Sequence, residues 1–416
     1  MKLILFLFQL ISILSDEKII IPFEIIIPEK ITLENIIEIL SDIRLITKVK
    51  IGSNKEELNM LLDLNKYPFY ISGSNTSFNE KFNENLSNSF KVLDKEEIKT
   101  LDKDFIKGYY ASDNILLNNL RNINLSFILS TFNEGNKSGV IGLQFASEES
   151  FNINMKKSNI IKQLQSQNLI SNNIFYFKFN EKNKNKGELI IGKLPNEFKT
   201  DLQNYKTAKV SNWHSYFTWR ISLSDVKMNN KSIYEFECND LIVFNSNSLF
   251  IKAPKFFLNY IDTNFFSKES CQKVLINFTR INCFYCDEKF DISKLPDLLF
   301  IYDFENQLNF TLSYKELFYK VDNKYIFLII TGTYDWEFGI SFLQKYETIF
   351  NQDMKTIGWY ESKENYTISI LLIVTIIILI AIIIFLIMFM KRNIKRKIRK
   401  NEIYDNYEYI SDNNKI

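Results

Sequence analysis

Two widely separated stretches of this chain share one construction, and that repetition restricts its possible folds more than any other feature. The first is VKIGSNKEELNMLLDLNKYPFYIS, Val49 to Ser72. It reads as a strand over Val49 to Gly52, a polar turn, and a strand over Leu58 to Leu62. A short loop opened by Asp63 and a third apolar strand over Phe69 to Ile71 complete it. The second is LIVFNSNSLFIKAP, Leu241 to Pro254, again apolar strand, small polar loop and apolar strand, with Asn245 in the loop. A carboxylate at the end of a buried strand is costly unless it is hydrogen-bonded or used for chemistry. A capped turn would account for Asp63 alone; the second stretch points further.

Other pieces occur in the same doubled order. Gly139-Val140-Ile141-Gly142-Leu143 is mirrored by Trp336-Glu337-Phe338-Gly339-Ile340. A Gly in such an apolar segment suits a strand that threads close to another backbone. Helices are expected over Ile160 to Gln167 and Lys255 to Tyr260, and an N-terminal strand over Ile19 to Ile27. Leu33 to Ile43 reads as a linker or short helix. Period-two alternation makes Tyr216 to Leu223 the strand that opens the second half. Gly73 to Thr100 is polar and reads as irregular.

In order, spacing and two-fold repetition, these pieces resemble the pepsin-like aspartic proteases (peptidase A1) over about residues 46 to 360. The family pattern is an apolar strand, then Asp-Thr/Ser-Gly-Ser/Thr, then an apolar strand, once per lobe. Here the loops read Asp63-Leu64-Asn65-Lys66 and Asn245-Ser246-Asn247-Ser248. The ten residues between Gly52 and Asp63 match the family's spacing, and Gly108 to Asp113 resembles the strand leaving its flap. Gly187 to Gly192 resembles its "G-x-L-x-x-G" hairpin, and Tyr346 through Trp359 its closing segment, with Asn351 for an Asp. The resemblance implies a mostly β fold of two pseudo-symmetric lobes with a cleft between them. The lobes would be residues 46–205 and 206–362, after a short segment, 16–45, with little room for a basic prosegment.

The resemblance also implies a chemistry that this chain alters. Such proteases use two carboxylates sharing one proton, one as base and one as acid, to activate a water. Asp63 is the surviving carboxylate, and Asn245 stands in place of the second. In the family the second loop residue ties the loops through a hydroxyl, which Ser246 retains and Leu64 lacks. Asn65 and Asn247 occupy the third position, normally Gly, while Gly142 and Gly339 are expected to pack beneath the loops. Glu337 stands where an apolar residue is expected. The leading expectation is a catalytically dead or impaired homologue that binds a peptide or protein in the inter-lobe cleft, without a cofactor. The alternatives are an active aspartic endopeptidase of the secretory or endolysosomal system, and a surface receptor or adhesion ectodomain.

Charge and rare residues narrow the choice. A net charge of +2 gives no signal for nucleic acid. The single histidine, His214, argues against His-based metal sites and a Ser-His-Asp triad. Cys238, Cys271, Cys283 and Cys286 are candidates for two disulfides, with three connectivities open. A redox or zinc reading of Cys283 and Cys286 lacks a second Cys-x-x-Cys or spare histidines.

The ends of the chain suggest a membrane. Residues 1–15 read as a signal peptide: Lys2, a short apolar run, then Ser15 before Asp16 and Glu17. Residues 368–390 carry no charge over 23 positions, the length of a transmembrane helix. Lys391 to Lys400 holds seven basic residues in ten, so residues 391–416 are expected in the cytosol, as the tail of a single-pass type I protein. The ectodomain, expected to be monomeric, would lie outside the cell or in an endolysosomal lumen. Sequons at Asn75, Asn85, Asn124, Asn136, Asn230, Asn277, Asn309 and Asn365 permit glycosylation there.

Overall fold

The alternating segments become strands, and their buried apolar faces meet in a continuous core drawn from both halves of the chain. The computed structural model describes residues 18–361 except 28–34, 67, 101–105, 118–120, 134–137, 145–157, 196–204, 212–217, 235–237, 239, 267–270, 277–280, 304–307 and 333. It also describes residues 377–380, 382–392 and 394. The proposed signal peptide, His214 and the end of the tail lie outside these residues. Two compact units result, Met1–Glu361 and Ser362–Ile416.

The first half runs β1 (Ile19–Ile25), α1 (Ile36–Ser41), β2 (Leu45–Ile51), β3 (Glu56–Asp63), β4 (Tyr70–Ser72), β5 (Lys91–Thr100), β6 (Ile106–Leu117), β7 (Arg121–Asn133) and β8 (Gly139–Gly142). Then come α2 (Ile160–Ser166), β9 (Ile174–Phe179), β10 (Lys186–Ile191) and β11 (Tyr205–Lys209). Asn159 caps α2, its side chain accepting the Lys162 N–H at 3.0 Å. The second half runs β12 (Arg220–Ser222), β13 (Asp225–Met228), β14 (Lys231–Ser232), β15 (Leu241–Phe244), β16 (Ile251–Ala253), α3 (Lys255–Asn264), β17 (Cys271–Ile276) and β18 (Ile281–Asp287). It continues with β19 (Leu298–Asp303), β20 (Leu308–Leu312), α4 (Tyr314–Leu317), β21 (Phe318–Val321), β22 (Lys324–Phe327), β23 (Ile329–Thr331), β24 (Trp336–Phe338), α5 (Ile340–Lys345), β25 (Tyr346–Asn351) and β26 (Thr356–Glu361).

The doubling seen in the sequence is a doubling of topology. In the first half five neighbouring strands follow the order β2-β3-β8-β4-β7; in the second the order is β12-β15-β24-β16-β23. Strand directions match as well. β8 runs parallel to β3 and antiparallel to β4, and β24 runs parallel to β15 and antiparallel to β16. Each late strand therefore threads between the two strands that flank a polar loop. The halves are also stitched together. β25 pairs with β9 and β26 with β11, all in one 13-stranded sheet. Beneath that seam Phe350 stacks on Phe175 at 5.0 Å and meets Trp219 edge-on at 5.0 Å.

Two expectations are corrected. Residues 91–100 form a strand, because their partner β6 supplies an antiparallel edge, with register shifts after Val92 and Asp94, and Ile98 finds a buried contact. Only one disulfide is present among the described residues, Cys271–Cys286, joining facing residues of β17 and β18. Cys283 is buried and free, and Cys238 is half-buried and free. Cys283, three residues before Cys286, lies on the opposite face of β18, and burial pushes its thiol up to about 12. Among the described residues no helix is long and apolar enough to cross a membrane; residues 368–376 and 381 of the expected span lie outside them. Within 368–390, residues 377–380 and 382–390 are helical, and their apolar side chains are exposed.

Candidate active site

The first polar loop leaves the end of β3. Leu58, Met60 and Leu62 anchor that strand in the main core, and Asp63 follows them, fully buried. Asp63 Oδ1 accepts the backbone N–H of Asn65 at 2.8 Å, and its carbonyl accepts the Leu143 N–H at 2.8 Å. The second loop repeats this turn. Asn245 follows β15, and its Oδ1 accepts the Asn247 N–H at 2.8 Å. The Asn245 N–H donates to the Phe338 carbonyl at 2.8 Å. A carboxylate and an amide can hold the same backbone turn because each presents an acceptor oxygen.

The residues that follow Asp63 and Asn245 in the two loops lie in contact with each other. The Ser246 hydroxyl accepts the Leu64 N–H at 3.0 Å and donates to the Leu62 carbonyl at 3.2 Å, tying the second loop to the first. Leu64 returns no such tie through its side chain, which is apolar and buried. Asn65 and Asn247 sit at matching places in the two turns. The side-chain oxygens of both are buried without a hydrogen-bond partner among the described residues. Gly142 lies opposite Asp63 in the β3–β8 register. Gly339 follows β24, whose Phe338 pairs with Phe244, so it holds the equivalent place beside Asn245. A Cβ at Gly339 would overlap the carbonyl oxygens of Ser248 and Phe250.

The residue that sequence reasoning underrated is Glu337. Its Oε1 accepts from the Asn245 Nδ2 and, at 2.7 Å, from the Lys252 ammonium. Lys252 and Glu337 remain 34% and 26% exposed, so the ion pair stabilises the fold by only about 0–1 kcal/mol. Its effect is local: it places a charge against the Asn245 amide. A charged residue in an apolar segment was the only signal, and its partners emerge only from register. Glu337 faces Val243 on β15 and Lys252 on β16. The equivalent residue of the first half, Val140, faces Leu61 and Tyr70. Leu61, Tyr70 and Val140 form an apolar cluster covered by Ile98, Ile106 and Tyr110 of the β5–β6 hairpin. The two walls beside the loops are thus apolar on one side and charged on the other.

This arrangement brings one carboxylate and one amide to corresponding positions. An amide can hold a water but cannot exchange a proton with it, and both ends of the Asn245 amide are already engaged. A family model described as eukaryotic aspartyl protease matches residues 44–361. No curated protein matches the chain.

Proposed function

The chain belongs to the eukaryotic aspartyl protease family, and from that premise we propose that it is a catalytically impaired member, anchored to a membrane, that binds a peptide or protein between its lobes. One observation carries the impaired reading: Asn245 is held between the Glu337 carboxylate and the Asn247 N–H, leaving Asp63 as the carboxylate of the two loops. Loss of one general acid or base costs about 10²- to 10⁴-fold in rate. Filling both glycine positions with Asn65 and Asn247 removes further room beside Asp63.

The membrane reading rests on the 23 uncharged residues of 368–390, the exposed apolar side chains within them, and the basic run that follows. With the N-terminal apolar run acting as a signal peptide, residues 16–367 lie in the lumen or outside the cell and the tail lies in the cytosol.

The purified protein is expected to show no peptide hydrolysis above background between about pH 3 and 7. Cleavage that pepstatin inhibits and Asp63→Ala abolishes would overturn the impaired reading. A second reading, an active endopeptidase, draws support from the Glu337 carboxylate beside Asn245, which could serve as the missing acid. It requires that Glu337→Gln abolish the same cleavage.

A further inference from the structure

We infer that Asn245 and Glu337 are a coupled pair, in which the carboxylate at 337 obliges position 245 to remain an amide. The inference rests on the reading of this site as one whose second loop lost its carboxylate. It says that reversing Asn245 alone cannot restore the loop.

The first observation is the hydrogen bonding. Asn245 uses its Nδ2 as donor to Glu337 and its Oδ1 as acceptor from the Asn247 N–H. Only an amide has both a donor and an acceptor at those ends; a carboxylate has acceptors alone. A carboxylate at 245 would keep the bond to Asn247 and turn its other oxygen against Glu337, at a place only 8% exposed. Two like charges at hydrogen-bond range cannot both ionise there, and the pair would retain a proton.

The second observation is the internal comparison. Val140 and Glu337 hold the same register position, each facing the residue two before its loop's Asx residue, Leu61 and Val243. Where the carboxylate survives, at Asp63, this neighbour is apolar. Where the neighbour is a carboxylate, the loop carries an amide. The partner on the next strand changes too, from Tyr70 to Lys252, whose ammonium bonds Glu337 Oε1 at 2.7 Å. The substitutions at 245, 337 and 252 therefore form one exchanged set around a single carboxylate oxygen. Among the described residues the other charged groups placed near the pair are Asp335, Arg220 and Asp63; Asp335, two residues before Glu337, accepts the Leu241 N–H at 3.3 Å. Arg220 faces Val243 from β12, its Nε donating to the Ser211 carbonyl at 3.2 Å, and Asp63 lies in the loop tied to this one by Ser246. Among the described residues Lys252 is the cation that pairs with Glu337. One ammonium cannot neutralise two carboxylates, so its presence does not rescue a carboxylate at 245.

The test compares three full-length proteins that all carry Asp63→Asn, so that no proton is shared between positions 63 and 245: a reference otherwise wild type, one with Asn245→Asp, and the exchange variant with Asn245→Asp/Glu337→Gln, each followed by thermal unfolding at about pH 4.5 and 7.5. In the Asn245→Asp variant the folded pair holds a proton that the unfolded chain releases, so stability falls as pH rises. Its midpoint is expected to drop by roughly 3–5 °C between the two pH values beyond any change in the reference. The exchange variant swaps amide for carboxylate across one hydrogen bond and is expected to follow the reference profile. An Asn245→Asp variant that fails to fold near neutrality while the exchange variant folds is the same result in stronger form. Three outcomes overturn the inference: an Asn245→Asp variant that parallels the reference, an exchange variant that loses as much as the Asn245→Asp one, or an exchange variant unfolded at both pH values. If wild type itself cleaves peptides, the impaired reading fails on that assay, independently of the unfolding profiles.

Discussion

At the scale of single residues, the tie between the two loops depends on one hydroxyl. Ser246 is buried, accepts from Leu64 and donates to Leu62, so removing it leaves a buried N–H and a buried carbonyl short of a partner. Ser246→Ala is expected to destabilise the protein by about 1–3 kcal/mol in urea unfolding. A loss below about 0.5 kcal/mol would mean that the loops are held by strand packing alone. The same comparison explains why Leu64 is tolerated. Its N–H is the group that is used, and every residue but proline has one.

At the scale of elements, the crossing of β24 beneath the second loop is the tightest approach near the site. The Gly339 backbone is extended, with φ −88°, so any residue could adopt it; what excludes a side chain is the pair of carbonyl oxygens from Ser248 and Phe250. Backbone atoms cannot swing aside as side-chain ends do, and Gly339→Ala is expected to cost about 3 kcal/mol, read as a lowered unfolding midpoint. Much of this element was legible beforehand. The doubled strand-loop-strand stretches and the helix at 160–166 follow from local pattern and from repetition, whereas the places of Gly142, Gly339 and the Ser246 hydroxyl follow from the family resemblance. Strand β5 was not legible, because its sequence, KVLDKEEIKT, lacks a clean period-two alternation, leaves Val92 and Leu93 exposed, and depends on β6 for its form. Nor was the ion pair, since Lys252 and Glu337 stand 85 residues apart and meet only through the threading of β24 beside β16. The disulfide illustrates the same limit: four cysteines permit three pairings, and only strand register puts Cys271 opposite Cys286.

At the scale of the whole molecule, the two halves repeat one topology, yet neither carries a complete set of partners. β9 is hydrogen-bonded on one side to β10 and on the other to β25, which comes from the far end of the chain. Phe175, fully buried, packs against Phe350 and Trp219, both from the second half, and the Trp219 indole N–H donates to the Leu143 carbonyl at 2.7 Å. Cutting the chain after residue 205 would expose this seam, at about 1.5–3 kcal/mol for each large side chain returned to water, and would open the β9 edge to unspecific pairing. Against a total stability of about 5–15 kcal/mol, losing even a few such side chains leaves the first half without a stable fold. Residues 1–205 expressed alone are therefore expected to aggregate or to show no cooperative unfolding transition. Co-expression with residues 206–416 is expected to restore a soluble complex. A first half that unfolds cooperatively by itself would show that the shared sheet joins two self-sufficient lobes, and that the geometry between Asp63 and Asn245 is set by the Ser246 tie rather than by the seam.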